Sequence, residues 1–100
     1  MFVAVACDLG SENHRDRVHS TFQEFGFKKM HEGLYESLTI NEQGLLRLKR
    51  ELDRLTDSYD SLRFYQFPME NTLVISVLKE KKWRKTVVNT ARGAGPRLNS

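Results

Sequence analysis

The chain opens on an apolar run that ends abruptly at a carboxylate. Residues 2–7 read Phe-Val-Ala-Val-Ala-Cys, and Asp8 follows them directly. A run that is apolar at both alternating sets of positions is typical of a strand buried on both faces. The pattern therefore predicts a central strand with Asp8 at its carboxyl end. There a carboxylate can meet water, a metal or a substrate.

The next periodic stretch predicts a helix. Apolar residues recur at i, i+4 and i+7, as on one helical face: Val18, Phe22 and Phe25. Ser11 is a candidate N-cap, and Gly26 is a typical C-terminal stop. The first helix is therefore expected over about residues 11–25.

A leucine stripe predicts the second helix: Leu45, Leu48, Leu52 and Leu55. Thr39 and Glu42 stand before it at the spacing of a capping box, in which each side chain bonds the other's backbone N–H. Between the two helices, residues 28–37 predict one weaker strand with Gly33 as a bulge.

Two further strands complete the pattern. Residues 62–67 predict a strand that Pro68 terminates. Residues 72–78 predict a second buried strand, after a turn at Glu70-Asn71. We interpret the element order as βαββαβ, which indicates an α+β, ferredoxin-like fold with an antiparallel sheet.

The domain organisation follows from length and composition. One hundred residues make a single domain, and the ferredoxin-like pattern spans residues 1–78. Residues 79–90 form a basic segment. Residues 91–100, with two Gly, one Pro and no aromatic residue, are expected to be a disordered tail.

Charge is unevenly divided along the chain. Residues 1–78 carry nine Lys and Arg against twelve Asp and Glu, whereas residues 79–100 carry seven against one. Such a basic end favours a polyanion or an acidic protein surface as partner, although charge runs are also often only solvated. The candidate nucleic-acid-binding residues in this segment are Lys81, Lys82, Arg84 and Lys85.

The cysteine content and the apolar runs of the chain suggest its cellular compartment. Its single cysteine, Cys7, cannot form an internal disulfide and fits a reducing cytoplasm. The opening residues lack the basic start of a secretory leader, and no apolar run approaches the about 18 residues of a membrane span. A cytoplasmic protein with no membrane partner is expected.

The expected sheet also predicts self-association. Two helices cover one face of a sheet, and alternate strand residues point to opposite faces, so apolar side chains are left on the other face. A homodimer packed through that face follows. The β-branched run at Thr86 predicts an extra edge strand on the partner's sheet, with the residues that would hold the crossover being Trp83, Val87 and Val88.

Asp8 is the candidate metal ligand and catalytic residue. One carboxylate is a poor divalent-metal site by itself, but a two-fold axis near the first strand would bring two copies of Asp8 together. The two copies could then hold Mg²⁺ or Mn²⁺ against a phosphodiester. The alternative is a solvated or helix-capping aspartate. His14, His19 and His31 lack metal-ligand spacing and are interpreted as polar surface residues, although His31 could face the dimer cleft.

Several segments together resemble the small CRISPR-associated adaptation proteins of the Cas2 family over about residues 1–78. The matching segments are Asp8-Leu9 after the first strand, Arg15 on the first helix, residues 26–36 (GFKKMHEGLYE) and residues 60–65 (DSLRFY). The same patterns are also similar to the virulence-associated protein D family of toxin-like ribonucleases.

The Cas2 resemblance implies a function. It implies a ferredoxin-like homodimer that acts as a metal-dependent nuclease of RNA or DNA, and as a bridge for an integrase partner in spacer acquisition. In that comparison Asp8 matches the metal-site aspartate, and Arg15 matches the basic residue of the first helix. Tyr35 and Glu36 match the Phe-Glu that ends the family's second strand.

Three functions therefore stay open from the sequence. The first is a metal-dependent endonuclease of the endoribonuclease type in antiviral defence. The second is a non-catalytic nucleic-acid-binding dimer that holds a duplex for an integrase. The third is a stand-alone, toxin-like endoribonuclease.

Overall fold

The structure is a computed structural model that describes residues 1–89 of the chain. The tail predicted for residues 91–100 lies outside the described residues. The elements, in chain order, are β1 (Phe2–Asp8), α1 (Glu12–Glu24), β2 (Lys28–His31), β3 (Leu34–Ser37), α2 (Glu42–Leu55), β4 (Ser61–Met69), β5 (Thr72–Lys79) and β6 (Lys82–Asn89).

All six strands form one antiparallel sheet in the order β2-β3-β1-β4-β5-β6. The first four positions in this order, built by β1 to β4 with their two helices, are the βαββαβ arrangement of a ferredoxin-like fold. The predicted fold class is confirmed. β5 and β6 extend the sheet beyond β4.

Both helices lie on one face of the sheet, and the core lies beneath them. Val3 and Val5 of β1 are fully buried, as are Phe22 of α1, Leu48 of α2 and Phe64 of β4. On the other face of β1, Ala4 is half-buried and Ala6 is exposed. β1 is therefore central in the sheet, but in the single chain only one of its faces is covered.

The first helix agrees with its prediction, whereas the start of the second differs. Ser11 is the N-cap of α1, and its hydroxyl accepts the His14 N–H at 3.1 Å. The capping box at Thr39 is wrong: Asn41 caps α2, and its Oδ1 accepts the Gly44 N–H at 2.7 Å. The reason is local, because an asparagine directly before the helix satisfies the same backbone donors.

Residues 28–37 form two strands rather than one. The chain reverses at Glu32-Gly33, where Gly33 has a φ of +79°. A side chain is disfavoured at such a φ, so the glycine permits the reversal. The irregularity in the ladder lies between Lys29 and His31, not at Gly33. The strand predicted as fourth, residues 72–78, is consequently the fifth.

Pro68 does not end its strand. β4 continues to Met69, and its register with β5 shifts between Gln66 and Met69. An irregular ladder tolerates a residue without an N–H, so the proline sits at the shift instead of terminating the pairing.

The predicted extra edge strand exists, but it is longer and lies on a different sheet from the one expected. β6 pairs with β5 of its own chain over its whole length, from Lys79↔Lys82 to Thr72↔Asn89. The turn between them has two residues, Glu80 and Lys81, with φ values of 54° and 62°. Two left-handed residues are typical of the tight hairpin turn that returns a strand onto its neighbour. Within the described chain the strand therefore lies on its own sheet, and pairing with a partner's sheet stays a prediction.

Candidate functional site

Asp8 is the last residue of β1 and is exposed. It pairs with Ser61 at the start of β4. By strand alternation it shares a face with Phe2, Ala4 and Ala6, the face that no helix covers. Within residues 1–89 its carboxylate forms no hydrogen bond or ion pair. The structure thus presents a free carboxylate at the end of the open face.

A cavity of about 470 Å³ opens beside Asp8. α1 forms one wall, and the β2–β3 hairpin forms the other. The lining is mostly ionisable: Asp8, Glu12, Arg15, Asp16, His19, Lys29, Glu32 and Tyr35, together with Cys7, Leu9 and Gly33. The acidic and basic side chains are mixed, so the cavity does not carry charge of a single sign.

Arg15 lies where the sequence predicted it, one helical turn into α1. Its Nη1 donates to the carbonyl oxygen of Leu9 at 3.3 Å, and the rest of the side chain is exposed. Because Leu9 follows Asp8 directly, this contact holds the guanidinium close to the Asp8 end of the cavity. Arg15 and Asp8 are therefore parts of one site.

Cys7 contributes no reactive thiol to the cavity. Burial raises the pKa of its thiol to about 12, so the sulfur stays protonated at neutral pH. Its backbone N–H donates to Gly33 O at 2.7 Å. A Cβ at Gly33 would lie 2.8 Å from the Cys7 carbonyl oxygen. Glycine at this position lets the β2–β3 turn close against the end of β1.

Asp60 is a site-supporting residue that the sequence reasoning missed. It is only 2% exposed, and its carboxylate accepts Gly10 N–H at 2.7 Å, Asp57 N–H at 2.8 Å and His14 Nδ1 at 2.7 Å. Burial by itself would raise the pKa of Asp60, but the hydrogen bonds hold it below its ordinary value. Asp60 thereby ties the loop after Asp8 to α1 and to β4.

The histidines act as hydrogen-bonding residues in separate places, as their spacing suggested. His14 bonds Asp60 and stacks on the Tyr59 ring with centroids 5.7 Å apart. His19 Nδ1 lies 2.8 Å from the hydroxyl of Tyr35. His31 is exposed on β2. Burial raises the pKa of the Tyr35 hydroxyl, and which of the two groups donates in this hydrogen bond depends on the His19 tautomer.

Residues 1–89 contain no group of three His, Cys, Asp or Glu side chains placed to hold a metal ion. Asp8 by itself offers one carboxylate, whereas Mg²⁺ takes about six oxygen ligands.

Comparison with known proteins identifies the family. A family model described as "CRISPR associated protein Cas2" matches residues 1–75. The chain belongs to the Cas2 family. It has a CRISPR-associated role, and of the two resemblances noted above the match supports the first. Searches of curated proteins and of solved structures gave no match.

The Cas2 match covers β1 to the first half of β5 and stops before β6. Beyond it, Lys81 is engaged with α2: its Nζ lies 2.8 Å from Asp53 Oδ1 and also donates to the backbone oxygens of Asp53 and Thr56. Trp83 Nε1 donates to Asp53 Oδ2 at 3.2 Å. The hairpin end is therefore docked on its own helix, and Trp83 packs within its own chain.

The four basic residues predicted in this segment do not form one cluster. The register pairs Lys85 with the buried Ser76 on the helix side, whereas Lys82 and Arg84 alternate onto the open face. Val87 and Val88, predicted to hold a partner, likewise lie on opposite faces of β6 and are exposed.

Within residues 1–89 of this Cas2-family chain, no helix is long and apolar enough to cross a membrane.

Proposed function

We propose that this Cas2-family chain works as a homodimer that cleaves RNA or DNA with a divalent metal, in the adaptation branch of CRISPR defence. The observation that carries the proposal is the free carboxylate of Asp8 at the end of the open face. A second copy packed on that face would place its own Asp8 near the first. The next paragraphs give the support for each step.

The open face is apolar enough to favour a second copy of the chain. Phe2 and Phe67 contact each other with ring centroids 5.9 Å apart, and Phe67 is 46% exposed. Half-buried apolar residues of β4 and β5 continue the surface: Tyr65, Leu73, Ile75 and Val77. Contiguous apolar surface of this kind is typical of an interface. A two-fold arrangement is the simplest way for one sequence to cover it.

The residues around Asp8 fit a divalent metal only when two copies of the chain are paired. One chain offers Asp8 without a three-ligand cluster, so the metal would rest on Asp8 from both copies and on oxygens of a substrate phosphate. A bound Mg²⁺ or Mn²⁺ would polarise the phosphoryl group and activate water as a nucleophile.

The chain's own residues would position the substrate. Arg15, held by Leu9 O, can pair with a phosphate beside Asp8. The protonated Cys7 thiol does not compete as a metal ligand, because metals bind the thiolate. Asp60 keeps the loop that follows Asp8 in place through Gly10 N–H.

An architectural role is the second candidate, and one observation favours it. Within residues 1–89 a single protomer has no complete metal site, so a dimer that does not bring the two Asp8 residues together would only hold nucleic acid. Such a dimer could still act as a bridge for an integrase partner.

The test is cleavage of RNA and DNA by the wild-type chain and by Asp8→Asn, in Mg²⁺, in Mn²⁺ and with EDTA. Asp8→Asn removes the charge without a change of shape, so we expect metal-dependent cleavage to fall by at least about a hundredfold. The control is Glu70→Gln, which removes one negative charge at the other end of the sheet, in the β4–β5 turn.

Two results would contradict the proposal. Cleavage that persists unchanged in Asp8→Asn would show that the activity does not use this carboxylate. A wild-type mass in light scattering near 11.7 kDa at micromolar concentration would show a monomer. A stable dimer that binds nucleic acid but never cleaves it would establish the architectural role.

A further inference from the structure

A second cavity, of about 310 Å³, lies between α2 and β6. β4 and β5 separate it from β1, so it is distinct from the Asp8 cavity. We call it the Trp83 pocket. Its lining residues are Leu46, Lys49, Arg50, Asp53, Ser76, Trp83, Arg84 and Lys85. Three of the cationic residues, Lys49, Arg50 and Lys85, lie on the helix side, whereas Arg84 alternates onto the open face of β6. Asp53 is the single carboxylate of the lining.

The positive charge of the Trp83 pocket is not neutralised within the chain. Asp53 is already bound by Lys81 at 2.8 Å and by Trp83 Nε1 at 3.2 Å. In the described part of the chain, none of the three cations on the helix side, Lys49, Arg50 and Lys85, forms an ion pair. A half-enclosed group of unpaired cations attracts an anion, and phosphate is the anion that lysine and arginine commonly bind.

Lys49 is half-buried in the Trp83 pocket and is affected by the charge of Lys85. Its Nζ donates to Ser76 Oγ at 3.1 Å and lies 5.4 Å from the Phe64 ring centroid and 5.6 Å from that of Trp83. Burial first, and then the charge of Lys85, lower the pKa of Lys49, while Glu42 partly opposes them. An anion between Lys49 and Lys85 would relieve this repulsion.

Trp83 adds an aromatic surface next to the cations. Its residue is 36% exposed, and its ring contacts Phe64 with centroids 5.8 Å apart. An unpaired nucleobase can stack on such a ring, and nearby lysines can hold the phosphate that follows the base. An acidic peptide would match the charge but would leave the ring unused. In a duplex the bases stack on one another and expose no face.

We propose that the Trp83 pocket binds one nucleotide of a single-stranded nucleic acid, with the base on Trp83 and the phosphate between Lys49 and Lys85. This inference builds on the nucleic-acid function proposed above and adds a binding site that does not use Asp8.

Tryptophan fluorescence tests the pocket directly, because Trp83 is the single tryptophan of the chain. The full chain is titrated with an oligothymidylate of about six nucleotides, within the site sizes of single-strand binders. We expect quenching that saturates. An abasic oligomer of the same length keeps the phosphates but lacks the bases, so it should bind about tenfold more weakly.

Lys85→Ala tests the phosphate contact. Loss of one contact should lower the slope of log affinity against log salt by about 0.7. The matched control is Lys28→Ala, which removes the same charge from an exposed position on β2, the opposite edge of the sheet. This control should leave both the quenching and the salt slope unchanged.

Each contrary outcome is distinct. Equal binding of the abasic and natural oligomers would show that the pocket recognises only the phosphate charge, and would overturn the proposed stacking of a base on Trp83. Tighter binding of an oligoglutamate peptide would make the pocket a protein-docking site. Absence of quenching, while Asp8-dependent cleavage persists, would overturn the pocket and leave the proposed nuclease intact. Quenching retained in Asp8→Asn, whether or not the chain cleaves, would support the pocket independently.

Discussion

Asp8 ends β1 and Asp60 directly precedes the neighbouring β4, so the two lie at the same end of the sheet, yet their surroundings are opposite. Asp8 pairs with Ser61, the residue after Asp60. Asp60 is 2% exposed and accepts three hydrogen bonds, whereas Asp8 is exposed and accepts none within residues 1–89. The two carboxylates are thus close in the fold, but that of Asp60 is buried and hydrogen-bonded, whereas that of Asp8 is exposed and unbonded.

This difference gives the two aspartates different roles, one in stabilising the fold and one in binding a ligand. A buried carboxylate that is fully bonded contributes to stability and is not free to bind anything else. An exposed, unbonded carboxylate costs the fold little and keeps its charge available to a ligand. Asp60 therefore holds the loop after β1, and Asp8, the last residue of β1, stays available to a ligand.

The largest effect should come from Asp60→Ala. Its removal leaves the N–H groups of Gly10 and Asp57 and the ring of His14 without a partner. We expect the free energy of unfolding, measured by urea titration, to fall by about 3 kcal/mol. The control is Asp57→Ala, an exposed aspartate whose Oδ1 accepts only the Ser58 N–H. A loss from Asp60→Ala no larger than the control's would refute the supporting role.

A smaller effect should follow the protonation of Asp60. Its folded-state pKa lies below the ordinary value of 3.8, because the hydrogen bonds outweigh the effect of burial. The stabilisation is therefore complete above about pH 5 and is lost as the pH falls through the folded pKa. We expect part of the acid-induced loss of stability to disappear in Asp60→Asn.

Urea titrations at several pH values between neutral and strongly acid check this prediction. Asp53 titrates in the same range, since the Lys81 hydrogen bond lowers its pKa too. Asp53→Asn therefore serves as the comparison variant. Curves of wild type and Asp60→Asn that run parallel down to strong acid would contradict the assignment.

The smallest effect should come from Asp8→Ala. Because the carboxylate is exposed and unbonded, we expect the free energy of unfolding to change by less than about 0.5 kcal/mol. Thermal and urea unfolding measure it. A loss comparable to that of Asp60→Ala would mean that Asp8 is a structural residue, and the contrast between the two aspartates would fail.

The elements set by local pattern were predictable from the sequence. The apolar run of β1 and the leucine stripe of α2 require neighbours that cover them, whatever the rest of the chain does. Ser11 caps the start of α1, and Gly26, with its positive φ, follows the end of the helix. Asp8 could be singled out for the same reason, since a charge directly after a buried strand must lie at its end.

The errors arose where a local signal has two outcomes. Gly33 in an otherwise strand-like stretch fits a bulge or a reversal, and the structure has the reversal. Thr39 and Asn41 are both competent caps, and Asn41 caps α2. Pro68 fits a strand end or an irregular ladder, and the ladder of β4 continues past it.

Both helices, the first strand, the fold class and the place of Asp8 followed from the sequence alone, because these depend on the spacing of neighbouring residues. The contacts between residues that are distant in sequence could be known only from the packed fold. Asp60 meets His14 across 46 positions, and Lys81 meets the Asp53 backbone across 28. Such contacts depend on how the helices and hairpins pack. No local pattern states which carboxylate becomes buried and which stays free.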